Sequence, residues 1–163
     1  MTEKQTKNQS KVVRLKAKPD NRKASERKFG KPVMEIGFCI VPSLLIQAQA
    51  RLGLEPQQIN ILLHLLDMWW DKDSKPFPTK ELIAERMGVS DKTVQRHIAA
   101  MEKAGLVRRI ERTKPGRGRT SNEYDLSGLV AKLKELEPDF AIVKAANIRN
   151  RRNAALPKFR RKG

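Results

Sequence analysis

Large apolar residues are sparse over the first 32 positions and dense from Val33 onward. In the early stretch Val12, Val13, Leu15 and Phe29 stand in a polar, cationic run and cannot form a core, so the pattern predicts a disordered basic arm. Ile36, Phe38, Ile40 and Val41 then predict a short extended entry. Pro42 and Ser43 are suited to opening a helix, in which Leu44, Leu45, Ala48 and Leu52 recur at helical spacing before Gly53 stops it. Pro56 restarts the chain as a first helical residue. Ile59, Leu62, Leu63, Leu66, Trp69 and Trp70 form a wide apolar stripe that predicts the central core helix, with both tryptophans in the core or at its edge. His64 lies within this stripe without a second histidine or an acid cluster beside it, and reads as a packed or surface histidine.

Asp71 to Pro78 (DKDSKPFP) is a turn by composition. It starts like a calcium loop but lacks the third acid, the sixth-position Gly and the twelfth-position Glu, so calcium is rejected. Thr79 can cap a helix whose apolar face is Leu82, Ile83, Ala84 and Met87, and Gly88 permits the left-handed turn that ends it. Val89 is placed to plug the corner and Ser90 to cap the next helix. That helix carries Val94, Ile98 and Met101 on one face and stops at Ala104 and Gly105. A short helix, a Gly-containing turn and a longer amphipathic helix are the sequence form of a helix-turn-helix.

Projected at about 100° per residue, the outer face of the second helix carries Lys92, Arg96, Ala99 and Lys103, with Gln95 at its border and the acids Asp91 and Glu102 nearer the flanks. Cations with a Gln and small alanines suit a DNA major groove, where Arg or Lys reaches guanine acceptors and Gln pairs with adenine. An ordinary solvated helix is the competing reading. Ser90 and Thr93, at the helix N-terminus, are placed for phosphate. Downstream, residues 106–112 and 122–126 can form two strands around TKPGRGRTS, which supplies Pro115, Gly116 and Gly118 as turn formers and Lys114, Arg117 and Arg119 as cations. This predicts a hairpin with a cationic tip able to enter a minor groove or follow phosphates. Ser127 can cap a last helix through Leu129, Val130, Leu133 and Leu136, ended by Glu137 and Pro138. Its stripe is expected to pack on the domain or to pair with a second subunit, and Phe140, Ile142, Val143 and Ile148 leave room for a further short helix.

Charge sharpens the picture. The chain of 163 residues has 35 Lys/Arg against 18 Asp/Glu, a net +17, with a pI near 10.4. Residues 1–32 hold 11 cations and 3 acids and residues 128–163 hold 10 and 3, whereas residues 33–78 hold 3 and 5. Two basic ends therefore flank the folded block, either to contact phosphate or to keep the chain dispersed. Cys39 is the only cysteine, which excludes an internal disulfide framework and a cysteine-rich zinc site. The acids are scattered and there is no GxxxxGK[ST] run, so no catalytic residue, metal or cofactor is expected. No apolar run is long enough for a bilayer and no secretory signal is read, so the expected setting is the bacterial cytoplasm, with no membrane partner.

The stretch FPTKELIAERMGVSDKTVQRHIAAMEKAGLVRRIERTKPGRGRTSNEYDL resembles the bacterial winged helix-turn-helix domains, especially the generic helix-turn-helix family of plasmids, phages and integrated elements. VPSLLIQAQARLGLEPQQINILLHLLDMWW is similar to the helices that precede the reader in those proteins, and also to the N-terminal domain of DnaD-type replication-loading proteins. The resemblance spans roughly residues 37–135. Its most specific part is MGVS followed by TVQRHI, and it implies that Ser90, Lys92, Thr93, Gln95 and Arg96 face DNA and that Arg117 and Arg119 sit at the wing tip.

The expected protein is mainly α with a small β-hairpin: a winged helix-turn-helix over 33–136, a basic disordered arm over 1–32 and a basic tail over 137–163. Lys92, Gln95 and Arg96 are the expected base readers, Thr79, Ser90, Thr93 and Lys103 the backbone contacts, and Lys114, Arg117 and Arg119 the wing contacts. Double-stranded DNA is the expected partner, with a homodimer and the replication or transcription machinery as further candidates. Transcriptional regulation leads, replication or partitioning of a mobile element follows, and a basic RNA-binding protein is the third reading.

Overall fold

The computed structural model of the chain describes residues 21–114, 118–119 and 121–155. It divides into two compact units, one ending at Phe38 and one beginning at Cys39. In the first unit α1 (Asn21–Phe29) and α2 (Lys31–Ile36) are helical. Residues 21–29 and 31–36, which take in part of the expected basic arm, are thus helical: Lys, Arg, Glu and Ala are good helix formers, and Lys31 and Glu35 pair at 3.5 Å one turn apart. Residues 1–20 and 156–163 lie outside the described residues, and so does what was expected of them.

The second unit is built on α3 (Ser43–Gln47), α4 (Pro56–Asp67), α5 (Lys80–Met87), α6 (Asp91–Lys103) and α7 (Ser127–Ala155). Leu45, Ile61, Leu62, Leu65, Ile83, Ile98 and Met101 are buried together as its core. The first of these helices is shorter than its apolar spacing predicts, because the chain leaves it at Ala48 and passes through turns to Gly53, at φ +64°. Glu55, where Ser or Thr is the usual cap, precedes α4, and its backbone N–H donates to Gln58 Oε1 at 2.9 Å.

The central helix ends at Asp67, before the tryptophans. Trp69 is half-buried against the core, but Trp70 is 71% exposed, which corrects the core reading for that residue. Once the helix has ended, adjacent residues no longer share its inner face.

Two short antiparallel ladders follow α6. β1 (Arg108–Ile110) pairs with β4 (Glu123–Asp125) in the register Arg109↔Tyr124, and β2 (Thr113–Lys114) pairs with β3 (Gly118–Arg119). The expected single hairpin over 106–112 and 122–126 is thus present as two shorter steps. Leu106 and Val107 are buried before the ladder begins. Tyr124 N–H donates to Pro76 carbonyl oxygen at 2.8 Å, which lays the 71–78 segment beside the wing.

The last helix does not end at Glu137 and Pro138 but continues through them to Ala155. A proline lacks only one N–H, and a long helix with one docked side can carry that loss. Its N-terminus is held by Asp125, whose Oδ1 accepts the Ser127 N–H at 2.9 Å, so Asp125 supplies the capping acceptor that was expected to be the Ser127 hydroxyl.

Candidate nucleic-acid interface

The turn between α5 and α6 follows from three residues. Thr79 Oγ1 accepts the Leu82 N–H at 3.1 Å and starts α5. Gly88 ends it at φ +65°, a left-handed conformation that costs a Cβ-bearing residue about 1–2 kcal/mol. Val89 tucks half-buried against the core, with its N–H on Ala84 carbonyl oxygen at 3.0 Å. Ser90 then caps α6 by accepting the Thr93 N–H at 3.2 Å, and the two hydroxyls lie 2.9 Å apart. The second helix is thereby set at a fixed angle to the first, with Val94, His97, Ile98 and Met101 buried beneath it.

The outer side of α6 is open. Lys92, Gln95, Arg96, Ala99, Ala100 and Lys103 are all exposed, and Lys92, Arg96 and Lys103 form no salt bridge among the described residues. Asp91 is drawn to the flank instead, with its carboxylate 3.1 Å from Lys80 Nζ. The hydrogen bond and charge of Lys80 hold the Asp91 carboxyl below its usual range. Lys80 also reaches Gln95 Oε1 at 3.4 Å, so the amide at the border of this face is oriented from α5. The hydroxyls of Thr79, Ser90 and Thr93, expected at the DNA backbone, are engaged in capping. They retain lone pairs, and Thr79 and Ser90 are exposed.

The wing is tied to the end of α6. Glu102 Oε1 accepts the Arg109 N–H and Oε2 accepts its Nε, both at 2.7 Å. Burial alone would raise the Glu102 carboxyl, but these bonds and the Arg109 charge prevail and hold it below the usual range. Arg108 in turn meets Asp125 at 2.8 Å and Arg112 meets Glu123 at 3.2 Å, across the two sides of the wing. Arg112 also lies 4.8 Å above the Phe77 ring. Lys114 falls in β2 and Arg119 in β3, whereas Arg117 lies outside the described residues.

Between α5, α6 and the wing opens a polar cleft of about 390 Å³, lined among others by Thr79, Lys80, Gln95, Arg109, Asn122 and Tyr124. Lys80, Asn122 and Arg109 were not among the sequence candidates. The legible signal for Lys80 was its place just after a cap, with an acid opening the next helix. His97 was also passed over. It is 7% exposed on the inner side of α6, with Nδ1 3.7 Å from Glu55 Oε2 and Nε2 without a hydrogen-bonding partner among the described residues. Among the described residues, no group of three or more His, Cys, Asp or Glu is placed to hold a metal ion, and no helix is long and apolar enough to cross a membrane.

Part of this arrangement is found in known proteins. Residues 52–107 match a family described as helix-turn-helix domain. No curated protein matches the chain. Among solved structures, the N-terminal domain of DnaD protein from Geobacillus kaustophilus HTA426 aligns with a TM-score of 0.49 at 23% identity, covering 78% of this chain and 99% of that one. A possible transcriptional regulator from Methanosarcina mazei Go1 aligns with a TM-score of 0.41 at 13% identity, over 63% of this chain and 82% of its own. The YusO protein from Bacillus subtilis aligns with a TM-score of 0.37 at 16% identity, over 85% and 100%. The family match spans α4, α5 and α6 with the turn between them, and the two-step wing that follows completes the fold of a winged helix-turn-helix.

Proposed function

We propose that the protein binds double-stranded DNA in a sequence-specific manner and acts as a bacterial transcriptional regulator. The single observation that carries this reading is the outer face of α6: three cations without salt bridges among the described residues, and two exposed alanines that keep the helix surface low. Such a face, beside a wing, fits a major groove about 12 Å wide.

In this reading Lys92, Gln95 and Arg96 meet base edges. Thr79, Ser90, Thr93 and Lys103 meet the sugar–phosphate backbone, and Lys114, Arg117 and Arg119 meet the adjacent groove or its phosphates. The net charge of +17 adds long-range attraction that is independent of sequence.

Selection of binding sequences from a random duplex library, followed by titration of the selected site, tests the reading. The expected result is one enriched motif, bound with an affinity that falls steeply with salt. Enrichment of no motif, or tighter binding of structured RNA than of duplex DNA at equal ionic strength, overturns it. Recovery of cross-linked DNA from cells then separates a promoter-bound regulator from an origin-bound replication factor.

A further inference from the structure

One side of α7 is docked on its own domain. Leu129 is buried, and Leu133, Leu136 and Phe140 are half-buried on that side. The stripe that the sequence offered to a second subunit is therefore already used.

A different stripe runs along the opposite side, about 170° around the helix. Ala131, Glu135, Pro138, Ile142, Ala145 and Arg149 follow one another at spacings of four and three, and all six are exposed. This is the spacing of a helix–helix seam. Ile142, its one large apolar residue, is 70% exposed. The alanines on either side leave room for a second helix axis to come close.

The charges on this stripe are arranged symmetrically. Glu135 stands seven residues before Ile142 and Arg149 seven residues after it. Neither makes a salt bridge among the described residues. A parallel mate would set Glu135 on Glu135 and Arg149 on Arg149. An antiparallel mate related by a two-fold axis at Ile142 sets isoleucine on isoleucine and Glu135 against the partner's Arg149, twice.

We propose that the exposed Ala131–Arg149 face of α7 pairs antiparallel with the same face of a second copy of this chain, about a two-fold axis at Ile142. A single helix pair is a small interface, and the dimer is expected to dissociate with a constant on the order of micromolar. The pairing does not depend on the DNA reading. If both hold, the two readers are related by the same axis and the preferred DNA site has two inverted half-sites.

Sedimentation of the full-length chain without DNA tests the pairing. The expected result is a reversible monomer–dimer equilibrium. Glu135→Arg and Arg149→Glu each weaken it about tenfold, and the two together restore it, because every like-charge contact becomes an opposite-charge one again. Ile142→Asp reduces it further. All three positions are exposed, and circular dichroism checks that the helix content is kept. Ile142→Cys in a Cys39→Ser background is expected to give a disulfide-linked dimer on mild oxidation. A chain that stays monomeric at about 200 μM, a double reversal no stronger than either single one, or a dimer indifferent to Ile142→Asp overturns the proposal. Failure of the DNA titration alone leaves it standing.

Discussion

The carboxylate of Glu102, in the last turn of α6, accepts both the backbone N–H and the side-chain Nε of Arg109, the second residue of the first wing strand, at 2.7 Å each. One side chain thus fixes the direction in which the chain leaves α6 and the position of the wing beside it. Such charge-assisted pairs are stronger than neutral ones, and the loss of one partner strands the other.

Glu102→Ala is expected to lower stability by about 1–3 kcal/mol, read as a shift of the urea midpoint at unchanged slope. On the DNA reading it also weakens binding, because the wing loses its anchor while the outer face of α6 keeps every residue. A midpoint identical to that of the unaltered chain would mean that the wing is held by its ladders alone.

Arg96→Ala is expected to reduce affinity for the selected duplex by about 1–3 kcal/mol and to relax the preference at one base position. Lys103→Ala is expected to weaken all duplexes alike and to reduce the slope of log affinity against log salt by about one. Both residues are exposed, so thermal unfolding should scarcely move. Base-selection profiles and salt titrations of the two variants check the division of roles.

Lys80 can only donate a hydrogen bond, so it holds Gln95 by its oxygen and leaves the amide NH₂ facing outward. On the DNA reading, Gln95 then favours a base edge rich in acceptors, guanine over adenine. Lys80→Met is expected to release the amide and move the preference at that position towards adenine. A base profile unchanged in this variant would show that the 3.4 Å contact does not persist on DNA.

Gly128 lies in the first turn of α7, where a Cβ would stand 2.1 Å from the carbonyl oxygen of Gly105. The close approach brings Leu129 N–H onto Leu106 carbonyl oxygen at 2.9 Å. Gly128→Ala improves helix propensity, yet it is expected to cost about 1–3 kcal/mol because backbone has to move. Calorimetric unfolding decides between the two signs.

Asp125 accepts the Ser127 N–H and the Arg108 guanidinium, and these bonds hold its carboxyl down to about 2. A carboxyl depressed in the folded state stabilises the fold above its unfolded value near 3.8, and that stabilisation is lost as pH falls towards 2. Between about pH 4 and pH 2 the chain is expected to lose about 1–2 kcal/mol that Asp125→Asn does not lose. Urea unfolding of both proteins across that range measures the difference.

The helix-turn-helix was legible because each of its determinants is local. Thr79 and Ser90 satisfy backbone N–H groups three residues on, Gly88 takes the conformation that a side chain disfavours, and Val94, Ile98 and Met101 share a face by helical geometry alone. The same locality made the outer face readable, since whatever is not on the core side of a helix against a core is on the other. Local pattern also misled. Pro138 reads as a terminator, and the cationic composition of residues 21–32 reads as disorder, but helix formation there depends on a sum of propensities rather than on one residue. Trp70 reads as core, yet the helix that would have turned it inward stops at Asp67.

Sequence by itself determined the helix-turn-helix: its caps, its turn and the identity of its exposed cations, because these are set by residues within a few positions of one another. Tertiary structure alone decided which side chains from distant parts of the chain meet around α6 and the wing. Lys80 lies 15 residues from Gln95 and Asp125 lies 17 from Arg108. Pairs at such separations meet only after the core has closed, since only burial of the apolar faces brings the elements that carry them together.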